Sequence, residues 1–271
     1  MNRLPLSGHR ILELGRGLAA AYATRQLADV GAEVIQLGGR GELEPEGLNA
    51  QVHRNKYGCS LDPRPAASRE LVLRLTALSN LVVIDDDQPG IGRDEIVGRN
   101  DDSIVLVMPG DHDLGLAVHE AARDWSSLQP ASIVGMFAVA AAGMALQRRR
   151  MTGEGAQVTV SAAGALLSLS AARREAGPEQ AATALPPDPA ALLEDEDLKA
   201  RAFFEPVARP GAGVSMMDGI SWAMSRTPAH VRLPAPAPGE HDDYVLRTLL
   251  GLGDSEVAVL VAEGVVTPRP A

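Results

Sequence analysis

The chain has 271 residues with 35 acidic against 25 basic side chains, a formal net charge of −10, which argues against nucleic acid or an anionic membrane as the main partner. Its single cysteine, Cys59, excludes an internal disulfide and a thiolate metal site, and fits a reducing, cytoplasmic setting. With three Phe, two Trp and three Tyr, stacking platforms for bases are not expected either.

Residues Gly8 to Leu37 read as one strand, glycine turn, helix and second strand. His9 to Leu14 carries apolar residues into Gly15-Arg16-Gly17. An Ala-rich helical run follows, then Gly31 and a strand over Glu33 to Leu37. This is the first half of a doubly wound nucleotide fold, in which ligand phosphates lie near the first strand's carboxyl end and the helix N-terminus. Gly15, Gly17 and Ala20 match the G-x-G-x-x-G/A spacing of dinucleotide sites. The ribose-binding acid of such sites is missing, because Gln36, Leu37, Gly38 and Gly39 stand in its place, followed by Arg40. A basic residue there suits an extra ribose phosphate, as in NADP or coenzyme A. Close helix–strand packing is the alternative reason for the glycines.

A polar connection runs from Gly38 to Gly47. Ala66 to Leu78 has helical periodicity, and Leu81 to Ile84 is a short strand leading into a turn from Asp85 to Gly90. Ile104 to Met108 is another buried strand, so the first hundred residues alternate strand and helix, as a parallel sheet requires. Helices are predicted over Leu116 to Leu128 and Ile133 to Arg150. The apolar stretch Ala131 to Leu146 is shorter than the roughly 20 residues of a membrane span. Arg148, Arg149 and Arg150 close that helix where cations suit the dipole. A turn at Thr152 to Gly155, a strand from Gln157 to Ser161 and a helix from Ala162 to Arg174 follow. Ala176 to Pro189 has linker composition, Glu194 to Asp197 reads as an exposed helix start, and Asp242 to Leu250 and Ser255 to Glu263 as short helices. The N-terminus lacks a basic segment followed by an apolar run, so no export signal is expected.

Five phrases in order resemble the class III coenzyme A-transferase family of carnitine CoA-transferases, formyl-CoA transferases and α-methylacyl-CoA racemases. They are Gly8 to Leu37, then Arg54-Asn55-Lys56 with Ser60-Leu61-Asp62, Gln88-Pro89-Gly90, Thr152-Gly153-Glu154-Gly155, and a C-terminal set. That last set comprises Leu198 to Phe204, Ser225 to Ala229 and Gly239-Glu240-His241. The resemblance implies an α/β fold with a Rossmann-like parallel-sheet domain over residues 1–175. Residues 176–197 then form a linker where the family has its small domain, largely deleted here, and residues 198–271 return to complete the large domain. It also implies an interlocked homodimer acting on an acyl-CoA thioester. Carried over by residue, the resemblance places the adenine and phosphates of coenzyme A near Arg40, Asn55, Lys56 and the Asp85 to Gly90 turn, with Asp86, Asp87, Pro89 and Gly90 as binding residues, and Arg16, Gly17, Leu18 and Ala19 beside the thioester.

The chain departs from this pattern at the chemistry. The family's nucleophilic aspartate, which splits the transfer through covalent intermediates, falls on Ala131, in Pro130-Ala131. The loop after His119 is short, and the lid over the acyl group is reduced, so water exclusion is expected from the dimer partner or a second protein. Val118-His119-Glu120 matches the racemases' Gly-His-Asp, which makes His119 the candidate acid/base and Glu120 its neighbour. Asp124, one turn on, and Glu240 beside His241 are candidate substitutes for the missing carboxylate. The chemistry expected is thus CoA transfer, or derived acid/base chemistry on a thioester. A racemase-like isomerase and a non-catalytic CoA-binding or scaffold homologue are the alternatives. No histidine has a metal-ligand spacing, so no metal is expected.

Overall fold

The computed structural model describes residues 3–38, 47–85, 91–99, 102–109, 130–168, 189–209 and 213–267. Strand β1 (Arg10–Glu13) leads into helix α1 (Leu18–Asp29) and strand β2 (Glu33–Leu37), as the sequence predicts. Helix α2 (Gly47–Val52) and strand β3 (Lys56–Cys59) come next, then α3 (Arg69–Ala77), β4 (Leu81–Asp85), α4 (Arg93–Arg99) and β5 (Ile104–Met108). The long helix α5 (Pro130–Thr152) and strand β6 (Ala156–Thr159) finish the sheet. All six strands run parallel in the order β3-β2-β1-β4-β5-β6. Strand order therefore reverses at β1 and β4, where an open α/β sheet leaves a crevice at its carboxyl edge.

Alternate residues of each strand feed two cores. Ile11, Val34, Val83, Leu106 and Met108 pack under α1 and α5. Leu12, Ile35, Val82, Ile84 and Val107 face the other side, covered by α3 and by Val245, Leu246, Leu260 and Val265 of the returning C-terminal segment. Burial on both faces explains why β4 and β5 are unbroken apolar runs. Helix α1 ends at Gly31, whose φ of +103° and closeness to Leu4 leave no room for a β-carbon.

Helix α1 owes its small side chains to α5. A β-carbon at Gly135 would stand 2.9 Å from Tyr22 Cδ1 and 3.0 Å from the Ala19 carbonyl. The two helices approach closely because small residues, Ala19, Ala20 and Ala23 on α1 and Ala131, Gly135 and Ala138 on α5, dominate the contact. At 23 residues α5 is longer than the apolar stretch predicted, and its length and composition would suffice to cross a membrane. Here Val134, Ala138, Ala142 and Ala145 bury one face in the core, while Met136, Phe137, Met144 and Met151 expose the other.

Beyond the sheet, helices α6 (Pro189–Glu194) and α7 (Glu196–Ala200) sit where the acidic run is, and the Asp195 carboxylate accepts from Leu198 N to cap α7. A hairpin of β7 (Phe204–Arg209) and β8 (Gly213–Asp218), not anticipated from the sequence, follows. Asp243–Leu249 winds as a π-helix and α8 (Asp254–Ala262) completes the second core. The C-terminal segment also covers the β3 edge: His241 N donates to the Gly58 carbonyl at 3.1 Å, and Asp62 N to the Val265 carbonyl at 2.9 Å. His241 thereby pairs the outward carbonyl and, through Nδ1, the outward amide of Gly58 on the edge strand.

Candidate functional site

The crevice begins at the carboxyl end of β1. Gly15, Arg16 and Gly17 turn the chain from the strand into α1, whose N-cap residue Gly17 is extended and makes no side-chain cap of its own. The cap comes from β4 instead. Asp85 Oδ2 accepts from Arg16 N at 2.6 Å and from Gly17 N at 3.1 Å, placing a negative charge at the positive end of the helix dipole. Gly15 is glycine because a β-carbon there would lie 2.8 Å from Asp85 Oδ1. Arg16, Gly17, Leu18 and Ala19 are thus gathered at the topological switch point. Arg16 has an exposed side chain, whereas Ala19 is in the core.

The phrase Arg54-Asn55-Lys56, expected from the resemblance to lie beside coenzyme A, is turned into the protein. Lys56 opens β3 and is fully buried: Nζ pairs with Glu13 Oε2 at 2.8 Å and donates to the Ala21 carbonyl at 3.0 Å. It also lies 3.1 Å from His53 Nδ1. Burial pushes the lysine pKa down, partly offset by Glu13. The same burial, with the neighbouring ammonium, drives His53 to about 2. Arg54, equally buried, donates to both Asp29 oxygens at 3.2 and 2.9 Å and reaches the Asp218 carboxylate at 3.0 Å. Asn55 sits at φ +62°. Its amide donates to Asp29 Oδ1 at 2.6 Å, and its Oδ1 accepts from Arg232 N and Leu233 N at 2.7 and 2.9 Å.

This network is charge-balanced. Glu13, Asp29 and Asp218 face Arg25, Arg54 and Lys56. It ties α1, β1 and β3 to the β7–β8 hairpin and to the 230s segment. The polar atoms of Asn55 and Lys56 are therefore committed inside the protein, and neither stands at the β1–β4 crevice with the turn. The sequence reading missed Glu13, Asp29 and Asp218 as their partners. The signal available was Glu13 and Asp29 themselves, charges inside otherwise apolar strand and helix patterns.

Of the other sequence-based candidates, Arg40, Asp86, Asp87, Pro89 and Gly90 lie outside the described residues, as do His119, Glu120 and Asp124. Ala131 is in the first turn of α5 with its methyl group in the core beside α1. Glu240 Oε2 accepts from Ala237 N at 2.8 Å and His241 Nδ1 accepts from Gly58 N at 3.2 Å, so both shape the C-terminal return. The His241 ring stands edge-on to Tyr57, their centroids 4.9 Å apart. Cys59 is fully buried, and burial followed by the Asp242 charge pushes its thiol pKa well up, which makes it a poor nucleophile. Among the described residues no group of three or more His, Cys, Asp or Glu is arranged to hold a metal.

Residues 6–91 match the sequence model of CoA-transferase family III. The chain is 31% identical over 138 residues to the CoA-transferase/lyase DddD of Marinomonas, an alignment covering 47% of this chain and 16% of that protein. It is 36% identical over 77 residues to 2-methylfumaryl-CoA isomerase of Chloroflexus aurantiacus, covering 28% and 19%. With a formyl-CoA:oxalate CoA-transferase of Rhodopseudomonas palustris it shares 35% over 77 residues, covering 28% and 18%. The matched segments thus span less than a fifth of each curated relative. The fold is that of Rv3272 from Mycobacterium tuberculosis (TM-score 0.74, 18% identity, 89% of this chain and 99% of that one). A CAIB/BAIF family protein from Brucella suis shares it as well (TM-score 0.71, 16% identity, 92% and 100%). The similarity to CoA-transferase family III thus lies in residues 6–91, the segment that holds the crevice turn and its neighbouring strands.

Proposed function

We propose that this protein binds the coenzyme A thioester of an acyl-CoA in the crevice at the carboxyl ends of β1 and β4. The observation that carries this reading is the Gly15–Gly17 turn, set at the switch point of a parallel sheet inside the matched family segment. In the catalytic form of the proposal, His119 moves the proton alpha to the thioester carbonyl or serves CoA transfer, with Glu120 or Asp124 as the candidate carboxylate. Histidine suits such a step because its ordinary pKa lies near neutrality.

A specific observation favours the second form, a CoA-binding homologue without transferase activity. Ala131, which stands where the family's aspartate is expected, has no group able to attack a thioester and is packed in the apolar core. The exposed apolar face of α5 supports association with a second copy, which would then complete the cover over the acyl group. Thioester turnover by the wild type and by His119→Ala separates the two forms. Turnover abolished by the substitution supports acid/base chemistry. Binding without turnover supports the homologue, and turnover that survives the substitution removes His119 from the mechanism.

A further inference from the structure

The two edges of the parallel sheet differ. At β3 the returning C-terminal segment bonds to Gly58, whereas β6 ends the sheet on the far side with no backbone partner beyond β5 among the described residues. Ala156 N and Val160 N donate inward, to the Ser103 and Val107 carbonyls at 3.3 and 3.0 Å. Alternate residues of a parallel strand turn their backbone groups to opposite sides, so Gln157 and Thr159 direct N–H and C=O outward, and both residues are exposed. The strand Ala156-Gln157-Val158-Thr159 carries no charge, proline or bulge, the devices that protect an open edge.

Helix α5 holds an apolar face over the same edge. Gly135 marks the side turned to α1. On another side Arg148 Nη1 donates to the Gly155 carbonyl at 3.0 Å, at the foot of β6, so that side overlooks the edge. Met144 lies about one turn before Arg148 and Met151 about one turn after it, with Phe137 two turns before Met144. All three are exposed. A hollow of about 580 Å³, lined in part by Ala140, Gly143, Met144 and Met151, lies beside them. Unpaired backbone and exposed apolar side chains therefore share one margin, and a two-fold axis there sets each against its own kind, as an isologous contact requires.

We propose that two copies of this chain join edge to edge through β6, antiparallel about a two-fold axis at Val158, into one continuous sheet. Gln157 of each copy exchanges N–H and C=O with Thr159 of the other, and Val158 faces Val158 as the close, non-hydrogen-bonded pair. The two α5 helices cover each other's methionine faces across the axis. This gives the association suggested above for α5 its geometry, and does not depend on which ligand the crevice takes.

The test is sedimentation velocity of the full chain without coenzyme A. The wild type sediments as a dimer at micromolar concentration. Thr159→Pro removes an outward N–H and leaves the inner ladder of Val158 and Val160 in place, and it raises the dimer Kd about 100-fold or more. Met144→Glu does the same, whereas Thr159→Val, which keeps the backbone donor, does not. Val158→Cys cross-links copy to copy under mild oxidation, the native Cys59 being buried. A monomeric wild type overturns the proposal. So does a dimer that survives Thr159→Pro or that Val158→Cys fails to cross-link, since it must use another surface. If circular dichroism shows that Thr159→Pro does not fold, the Val158→Cys cross-link and Met144→Glu decide. Coenzyme A titration of the same samples judges the acyl-CoA reading separately.

Discussion

Replacing Lys56 by methionine separates an internal tie from a ligand-binding lysine. Lys56 Nζ has three partners inside the protein, and its departure leaves Glu13, itself wholly buried, with the Thr24 hydroxyl donating to Oε2 at 2.7 Å as its one remaining side-chain partner among the described residues. Removing one partner of a buried ion pair costs about 3–5 kcal/mol, because the remaining charge stays desolvated. Against the roughly 5–15 kcal/mol of a folded domain, that is a large fraction of the total. The assay is urea denaturation followed by circular dichroism. The Lys56→Met midpoint falls sharply, while Glu13→Met combined with Lys56→Met recovers most of the loss, since both charges leave together. An exposed lysine on a solvated loop would change stability by no more than about 0.5 kcal/mol. A Lys56→Met protein of wild-type stability and weakened coenzyme A binding would refute the assignment, and would return Lys56 to the phosphates.

Other substitutions test the same structure. His53 is held neutral down to about pH 2, whereas in the unfolded chain it takes up a proton below its ordinary 6.5. Its contribution to stability is therefore complete above pH 6.5 and is lost as pH falls toward 2. The loss is roughly 1.4 kcal/mol per pH unit, and His53→Asn removes that part of the slope in denaturation midpoints measured between pH 7.5 and 5.5. Cys59 does not react with a thiol-specific chromogenic reagent in the native protein and reacts once denaturant is added; fast native labelling would contradict its burial. Gly135→Ala forces α1 from α5 at Tyr22 and the Ala19 carbonyl, costing about 1–3 kcal/mol in denaturation; an unchanged midpoint would mean the helices are not in this contact.

The parallel sheet was legible because its strands are short apolar runs punctuated by glycine and separated by helical periodicity. Glu33 to Leu37 and Ile104 to Met108 coincide with β2 and β5 as read from the sequence. What stayed hidden was pairing at long range. Lys56 looks like an exposed charge in a polar phrase, and only the approach of β1 and α1 turns it inward toward Glu13. The β7–β8 hairpin lacks a strong alternation in sequence, although Arg209, Pro210, Gly211, Ala212 and Gly213 have a turn composition between two short β-favouring runs. The turn's own ligand was also hidden, because Asp85 reads as the first residue of an acidic loop. Only the pairing of β1 with β4 brings its carboxylate onto the Arg16 and Gly17 amides.

Calorimetric titration of the purified protein with coenzyme A, with NADP as the control, tests the central claim most directly. Micromolar binding of coenzyme A with no heat from NADP is the predicted result. A folded protein that binds neither, or that prefers NADP, would contradict a coenzyme A site in the β1–β4 crevice.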